Sequence, residues 1–229
     1  MADFTSRKTG LFSDQDTWND GSSGSPTTAT HSFDVASGHV VTLDQDFATS
    51  AGHGQILSGG AMIIDGGYEI TIAGNGSFNV VGNLTITNGG VIIPGAGLGT
   101  QDGFLNQSAG IITIGPAGYI TNTTESNILA GSVYLRGGTI TLNAGGIMSV
   151  SAFYMESGTI TIPSGGFTYF TVANGGFFEH SGGDITLSLN GYLRIDGSGK
   201  YYARRRGLTS PVDASQAYGI TGRPVRIGV

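Results

Sequence analysis

Glu156 and Glu179 are the acids best placed by type and spacing to do chemistry. They lie 23 residues apart, about one coil of a stacked β-structure, so their carboxylates could meet on one face. Paired carboxylates supply the acid and the base of glycoside hydrolysis. Alternatively, clustered acids hold calcium beside a catalytic arginine, and Arg136 is the only base between residues 9 and 193. Solvent-facing acids that stack on successive coils are commonly incidental, and this pair is given no catalytic role.

Other constellations are weaker. Asp14, Asp16, Asn19 and Asp20 ahead of Gly21 have the flavour of a calcium loop, but the alternating ligand run and the distal Glu are missing. Asp44-Gln-Asp46 reads as a solvated corner. His31, His39, His53 and His180 show neither HxxxH nor His-x-His spacing, which argues against zinc. No nucleophile elbow, P-loop or dinucleotide fingerprint occurs in a strand-to-helix context. The expectation is a non-enzymatic chain with no catalytic residue, no metal and no cofactor.

The elements that would position these residues are short strands. Gly138-Thr-Ile-Thr-Leu142 and Gly158-Thr-Ile-Thr-Ile162 repeat one pattern, with Gly110-Ile-Ile-Thr-Ile114 and Gly183-Asp-Ile-Thr-Leu187 as close variants. Glu69-Ile-Thr-Ile72 and Asn83-Leu-Thr-Ile86 are shorter echoes. A strand that returns after a glycine is the signature of a coiled, stacked β-array. The central residues Ile70, Leu84, Ile112, Ile140, Ile160 and Ile185 are separated by steps of 14, 28, 28, 20 and 25. Uneven steps suit a coil whose corners tolerate insertions better than its strands. The step of 14 predicts that Ile70 and Leu84 occupy different faces.

The expected fold is therefore all-β, a single-stranded right-handed parallel β-helix. About seven coils at one strand spacing each give a rod on the order of 35 Å long. An antiparallel sandwich or barrel is the competing architecture, disfavoured by strands of three to five residues without two-residue hairpin turns.

The expected organisation has three parts. Residues 1–30 form an irregular N-terminal cap, in which Trp18 covers an open solenoid end. Residues 31–203 form the β-helix body, and 204–229 an extended basic arm. The aromatics Phe167-Thr-Tyr-Phe170, Phe177-Phe178 and Tyr201-Tyr202 divide between stacking inside the coil and lining a subunit interface, with a glycan groove ranked third.

Charge is segregated. Residues 9–193 hold 13 acids against Arg136, whereas 194–229 hold seven bases against Asp196 and Asp213. An acidic body with a basic end suits self-packing or docking on an acidic partner. The candidate attachment residues are Arg204, Arg205, Arg206, Tyr218, Arg223 and Arg226. The alternation around Arg226 could add a strand to a neighbour's sheet edge or fold back on the same chain. So few bases behind an acidic body argue against nucleic acid. No apolar run reaches bilayer-spanning length, and the N-terminus lacks a secretory h-region. Cysteine is absent, which fits a protein made in the cytosol that acts outside the cell without disulfides.

Thr17-Trp-Asn-Asp-Gly21 followed by Val35-Ala-Ser-Gly-His-Val-Val-Thr-Leu-Asp44 resembles the opening of glycine-rich β-helix domains in phage and bacterial surface proteins, and the chain looks like a parallel β-helix virion protein of a tailed bacteriophage. The resemblance implies a structural component of the virion exterior, foremost a capsid decoration protein anchored through its termini. It implies partners in further copies of the chain, as a homotrimer, and in the major capsid protein. The alternative is a tail spike or fibre that binds, or cleaves, host surface polysaccharide; a bacterial adhesin module ranks third. The short chain without an evident acid pair departs from tail-spike hydrolases.

Overall fold

The computed structural model describes residues 3–19, 24–27, 30–49, 51–73, 75–93, 104–121, 132–162, 168–187, 191–195, 200–203, 220–221 and 226–227. Apart from one 3₁₀ turn at Gln15–Thr17, the regular structure among them is β. The strands stack in parallel as a β-solenoid. Five three-strand turns are described without a break, at residues 33–49, 53–72, 77–92, 104–121 and 132–150.

Three in-register ladders form three faces. The first runs from Phe4–Ser6 through Phe33–Val35, His53–Ile56, Ser77–Val80, Phe104–Gln107 and Ser132–Leu135 to residues 152–155, 177–180 and Lys200–Ala203. The second joins Gly10–Leu11, Val40–Leu43, Ala61–Ile64, 83–86, 111–114, Thr139–Leu142, Thr159–Ile162, Asp184–Leu187 and Ile220–Thr221. The third joins Phe47–Thr49, Tyr68–Ile72, 89–92, 119–121, 147–150, 169–172, Gly191–Ile195 and Arg226–Ile227. The first two ladders are nine strands deep, more than the motif alone suggests, because the terminal strands lack it.

The recurring motif is one column of one face. Leu84, Ile112, Ile140, Ile160 and Ile185 are register partners on the second face, and Ile70 lies on the third, as the step of 14 requires. Strand alternation turns these residues inward with Leu43, Ile64, Ile86, Ile114, Leu142 and Ile162, all of them buried. Each such side chain contributes roughly 1.5–3 kcal/mol through removal from water. The uneven steps come from the corners: residues 93–103 and 122–131 lie in sequence between the third and first faces, while the second-face strands from Val40–Leu43 to Asp184–Leu187 keep one length.

The motif glycine has a steric reason. Gly110, Gly138, Gly158 and Gly183 adopt positive φ at the corner leading into the second face. A Cβ at Gly158 would lie 2.7 Å from the Gly138 carbonyl oxygen, and one at Gly183 would lie 2.5 Å from that of Gly158. The same carbonyls accept hydrogen bonds from Thr159 and Asp184 at 2.9 Å. The corner thus needs both the left-handed backbone and the missing side chain.

The N-terminal end is closed by aromatics. Trp18 is 1 % exposed, donates from Nε1 to the Phe12 carbonyl at 2.8 Å and meets Phe12 and Phe33 edge-on. Thr5 and Ser6 pair antiparallel with Asn19 and Trp18. This reversal of direction covers the exposed edge of the first ladder, and Trp18 acts as the cap its position suggests.

Candidate functional site

The outward residues of the first face bring together most of the chemistry-bearing side chains. Strand register aligns Gln55, Asn79, Asn106, Tyr134, Tyr154 and Glu179. Tyr134 and Tyr154 stack with centroids 4.7 Å apart and planes 4° from parallel. Phe177 meets Tyr154 edge-on at 5.2 Å. Phe178, one residue later, is buried against Phe153 at 5.1 Å. The pair Phe177-Phe178 therefore divides between outside and inside, as strand alternation dictates.

Arg136 leaves the first face at the next corner. Its guanidinium lies 4.7 Å from the Tyr134 ring centroid, and its Nε donates to Glu156 at 3.2 Å. The cation is thus shared between a π-face and a carboxylate, both half-exposed, where such contacts are worth about 1 kcal/mol or less. Glu179 is in register with Tyr154 rather than with Glu156. The two glutamates are offset along the strand direction as well as by a turn. Burial chiefly, with Tyr134 and Glu179 beside it, raises the Tyr154 pKa above the ordinary phenol value.

This column is suited to holding turns together. Tyr134 and Tyr154 turn one face toward each other, and the stacked pair links successive turns.

The remaining candidates are dispersed. Asp14 caps the 3₁₀ turn by accepting from the Asp16 amide at 2.8 Å. Arg7 and Lys8 form ion pairs with Asp16 and with both acids, respectively. Asp20 and Gly21 lie outside the described residues. Asp44 accepts from the Ser13 amide and hydroxyl, and Asp46 accepts from the Glu69 amide. These carboxylates serve the backbone at a corner. Each histidine sits in its own setting: His31 packs on Phe4, His39 meets Ser6, His53 meets Ser77 at 2.6 Å, and His180 is buried. Among the described residues no group of three or more His, Cys, Asp or Glu could hold a metal ion.

Of the attachment candidates, Arg204, Arg205, Arg206, Tyr218 and Arg223 lie outside the described residues. Arg226 is described at the backbone, where it pairs in parallel with Arg194 of the same chain. The C-terminal alternation thus finds its sheet edge at home. Thr168–His180 and Lys200–Ala203 are strands, which places Tyr169 and Phe170 on the third face and Tyr201 and Tyr202 on the first. Phe167 lies outside the described residues.

Two features escaped the sequence reading. Tyr119 donates its hydroxyl hydrogen bond to Glu69 across Gly90, and the residue after each motif isoleucine forms an outward threonine column. The constant Ile-Thr dipeptide carried the second signal. The first needs the register of two turns. With this geometry in hand, comparison with known proteins finds no family model, no curated protein and no solved structure that matches the chain.

Proposed function

We propose that the chain is a non-enzymatic structural protein of a virion exterior, a capsid decoration protein of a tailed bacteriophage that is attached end-on. The observation that carries this reading is the axial placement of positive charge. Arg194 and Arg226 are register partners at the C-terminal end of the third ladder, and Lys200 opens the last strand of the first. At the opposite end Arg7 and Lys8 are engaged by Asp14 and Asp16, and Arg136 in between is engaged by Glu156. Arg204, Arg205, Arg206 and Arg223 follow in the same C-terminal stretch of sequence. A rod with its surplus of bases toward one end suits docking of that end on an acidic lattice, with the acidic body held clear.

The test is particle labelling. Antibody raised against the folded rod is applied to virions of the phage that encodes the chain. Decoration of capsids is expected; label confined to tails, or on no particle, overturns the reading. Reversing Arg204, Arg205 and Arg206 to Glu should then abolish co-sedimentation with capsids while the far-ultraviolet circular dichroism stays unchanged.

A further inference from the structure

The outward side of the second face is the most regular surface of the molecule. Its strands at Val40–Leu43, Ala61–Ile64, 83–86, 111–114, Thr139–Leu142 and Thr159–Ile162 pair without a bulge within those segments. One outward row reads Thr42, Ile63, Thr85, Thr113, Thr141 and Thr161, all half-buried. The row beside it holds Ala61, Asn83 and Ile111 among its members, and Ile111 is 46 % exposed, one of the three large apolar side chains most open to solvent.

None of the twelve outward residues on these six strands is charged. The chain as a whole is 11 % charged, so one or two would be expected. Over the same six turns each of the other faces carries one, Asp34 on the first and Glu69 on the third, while the first charge on the second face is Asp184, on the strand that follows Thr159–Ile162. Loss of charge from a contiguous patch is the compositional mark of an interface centre.

We propose that this threonine face is where copies of the chain pack against one another, side by side with their axes aligned. Two physical arguments select a second copy as the occupant. The face repeats once per strand spacing, about 4.8 Å, and a partner built from the same chain has that repeat by construction. Contacts made at one turn then recur at every turn. A threonine hydroxyl also both donates and accepts, so a column of threonines is its own hydrogen-bonding complement, with methyl groups left to pack. This inference stands apart from the virion reading, since it concerns the isolated chain in solution.

The experiment measures the mass of the full chain by sedimentation over a range of concentrations. The unsubstituted chain is expected to run as a closed oligomer. Thr113→Lys combined with Thr141→Lys should weaken self-association at least tenfold, because it brings like charges together across the face. Thr71→Lys, on the third face, should leave the mass unchanged. An unsubstituted chain that is monomeric throughout would overturn the proposal, as would a Thr71→Lys chain that dissociates while the double variant does not. A second readout covers misfolding of the lysine variant. The chain has no cysteine, so single Cys replacements of Thr85, Thr113, Thr141 and Thr161 can be oxidised one at a time. Disulfide-linked dimers are expected from at least one position on this face and not from Thr71→Cys; the reverse pattern sinks the idea.

Discussion

Tyr119 lies across the bare backbone of Gly90 and donates its hydroxyl hydrogen bond to Glu69, two turns away along the third face. A Cβ at Gly90 would lie 2.2 Å from Cδ2 and Cε2 of the Tyr119 ring. Burial first, and the Glu69 carboxylate second, push the Tyr119 pKa up to about 12. A phenol whose folded pKa is raised contributes stability that is complete below its unfolded value near 10 and is lost as pH rises toward 12. The Tyr119→Phe difference titration, followed by tyrosinate absorbance, should show one late-titrating phenol. Glu69→Gln should bring that phenol earlier, and an unchanged titration would remove Glu69 from the account.

Gly90→Val should destabilise by about 1–3 kcal/mol, since the added carbons meet an occupied site and force the ring off its strand. Denaturant midpoints compared at unchanged slope check this. The variant should also lose the late-titrating phenol, which ties the stability change to Tyr119 rather than to backbone stiffness.

Gly158→Ala and Gly38→Ala separate two costs that a corner glycine avoids. Both residues have positive φ, but a Cβ at Gly38 meets nothing within 4 Å, whereas one at Gly158 meets the backbone of the preceding turn. Gly38→Ala should cost about 1–2 kcal/mol, the left-handed penalty alone. Gly158→Ala should cost more, and equal losses in thermal unfolding would contradict a steric role for the column.

His180 sits 1 % exposed beneath the first-face strand, with Nε2 placed 3.1 Å from the Gly183 carbonyl oxygen. Burial lowers its pKa from the usual 6.5, against opposing contributions from the Gly183 and Gly182 backbone and from Asp184. The fold therefore favours neutral imidazole. Stability is complete above the unfolded value and falls as pH drops below it, because the unfolded chain binds the proton more readily. His180→Met should flatten the change in unfolding free energy between about pH 7.5 and pH 5; an identical slope in the variant would place the acid sensitivity elsewhere.

Trp18 is the sole tryptophan, so its emission reports the N-terminal cap alone. Blue-shifted fluorescence is expected in the native chain. Trp18→Ala should cost about 3–5 kcal/mol. If the emission reddens at lower denaturant than the far-ultraviolet signal changes, the cap opens before the rod; a single coincident transition would show that cap and rod unfold as one unit.

Much of this architecture was legible because its physics is local. Gly-x-Ile-Thr states in four residues that a corner lacks a side chain, that one residue points inward and that its neighbours point out. Trp18 in a polar lead-in marked the cap for the same reason, since a large apolar surface must find cover. What stayed hidden depends on register between distant turns. No pattern near Tyr119 announces that Gly90 and Glu69 will lie beside it. Nothing around His180 tells that the last position of its strand points inward, where Leu135 and Met155 occupy the equivalent sites. Arg226 reads as a strand in search of an edge, and only the ladder reveals that the edge belongs to its own chain.

The glycine corner also gives the rod a front and a back. At residues 136–138, 156–158 and 181–183 the chain turns in three residues, each pressed on the carbonyl of the turn before. At these three turns the seam leaves no space for a longer connection, and only at the C-terminal end does a longer stretch of sequence, 204–219, separate its two strands. Between the third and first faces, residues 93–103 and 122–131 intervene in sequence while the ladders on either side keep their register. Among the five turns from residue 33 to 150, the longest connections all fall along this one ridge. The flat threonine face borders the closed seam, so a partner docked there would stay undisturbed however far the ridge diversified.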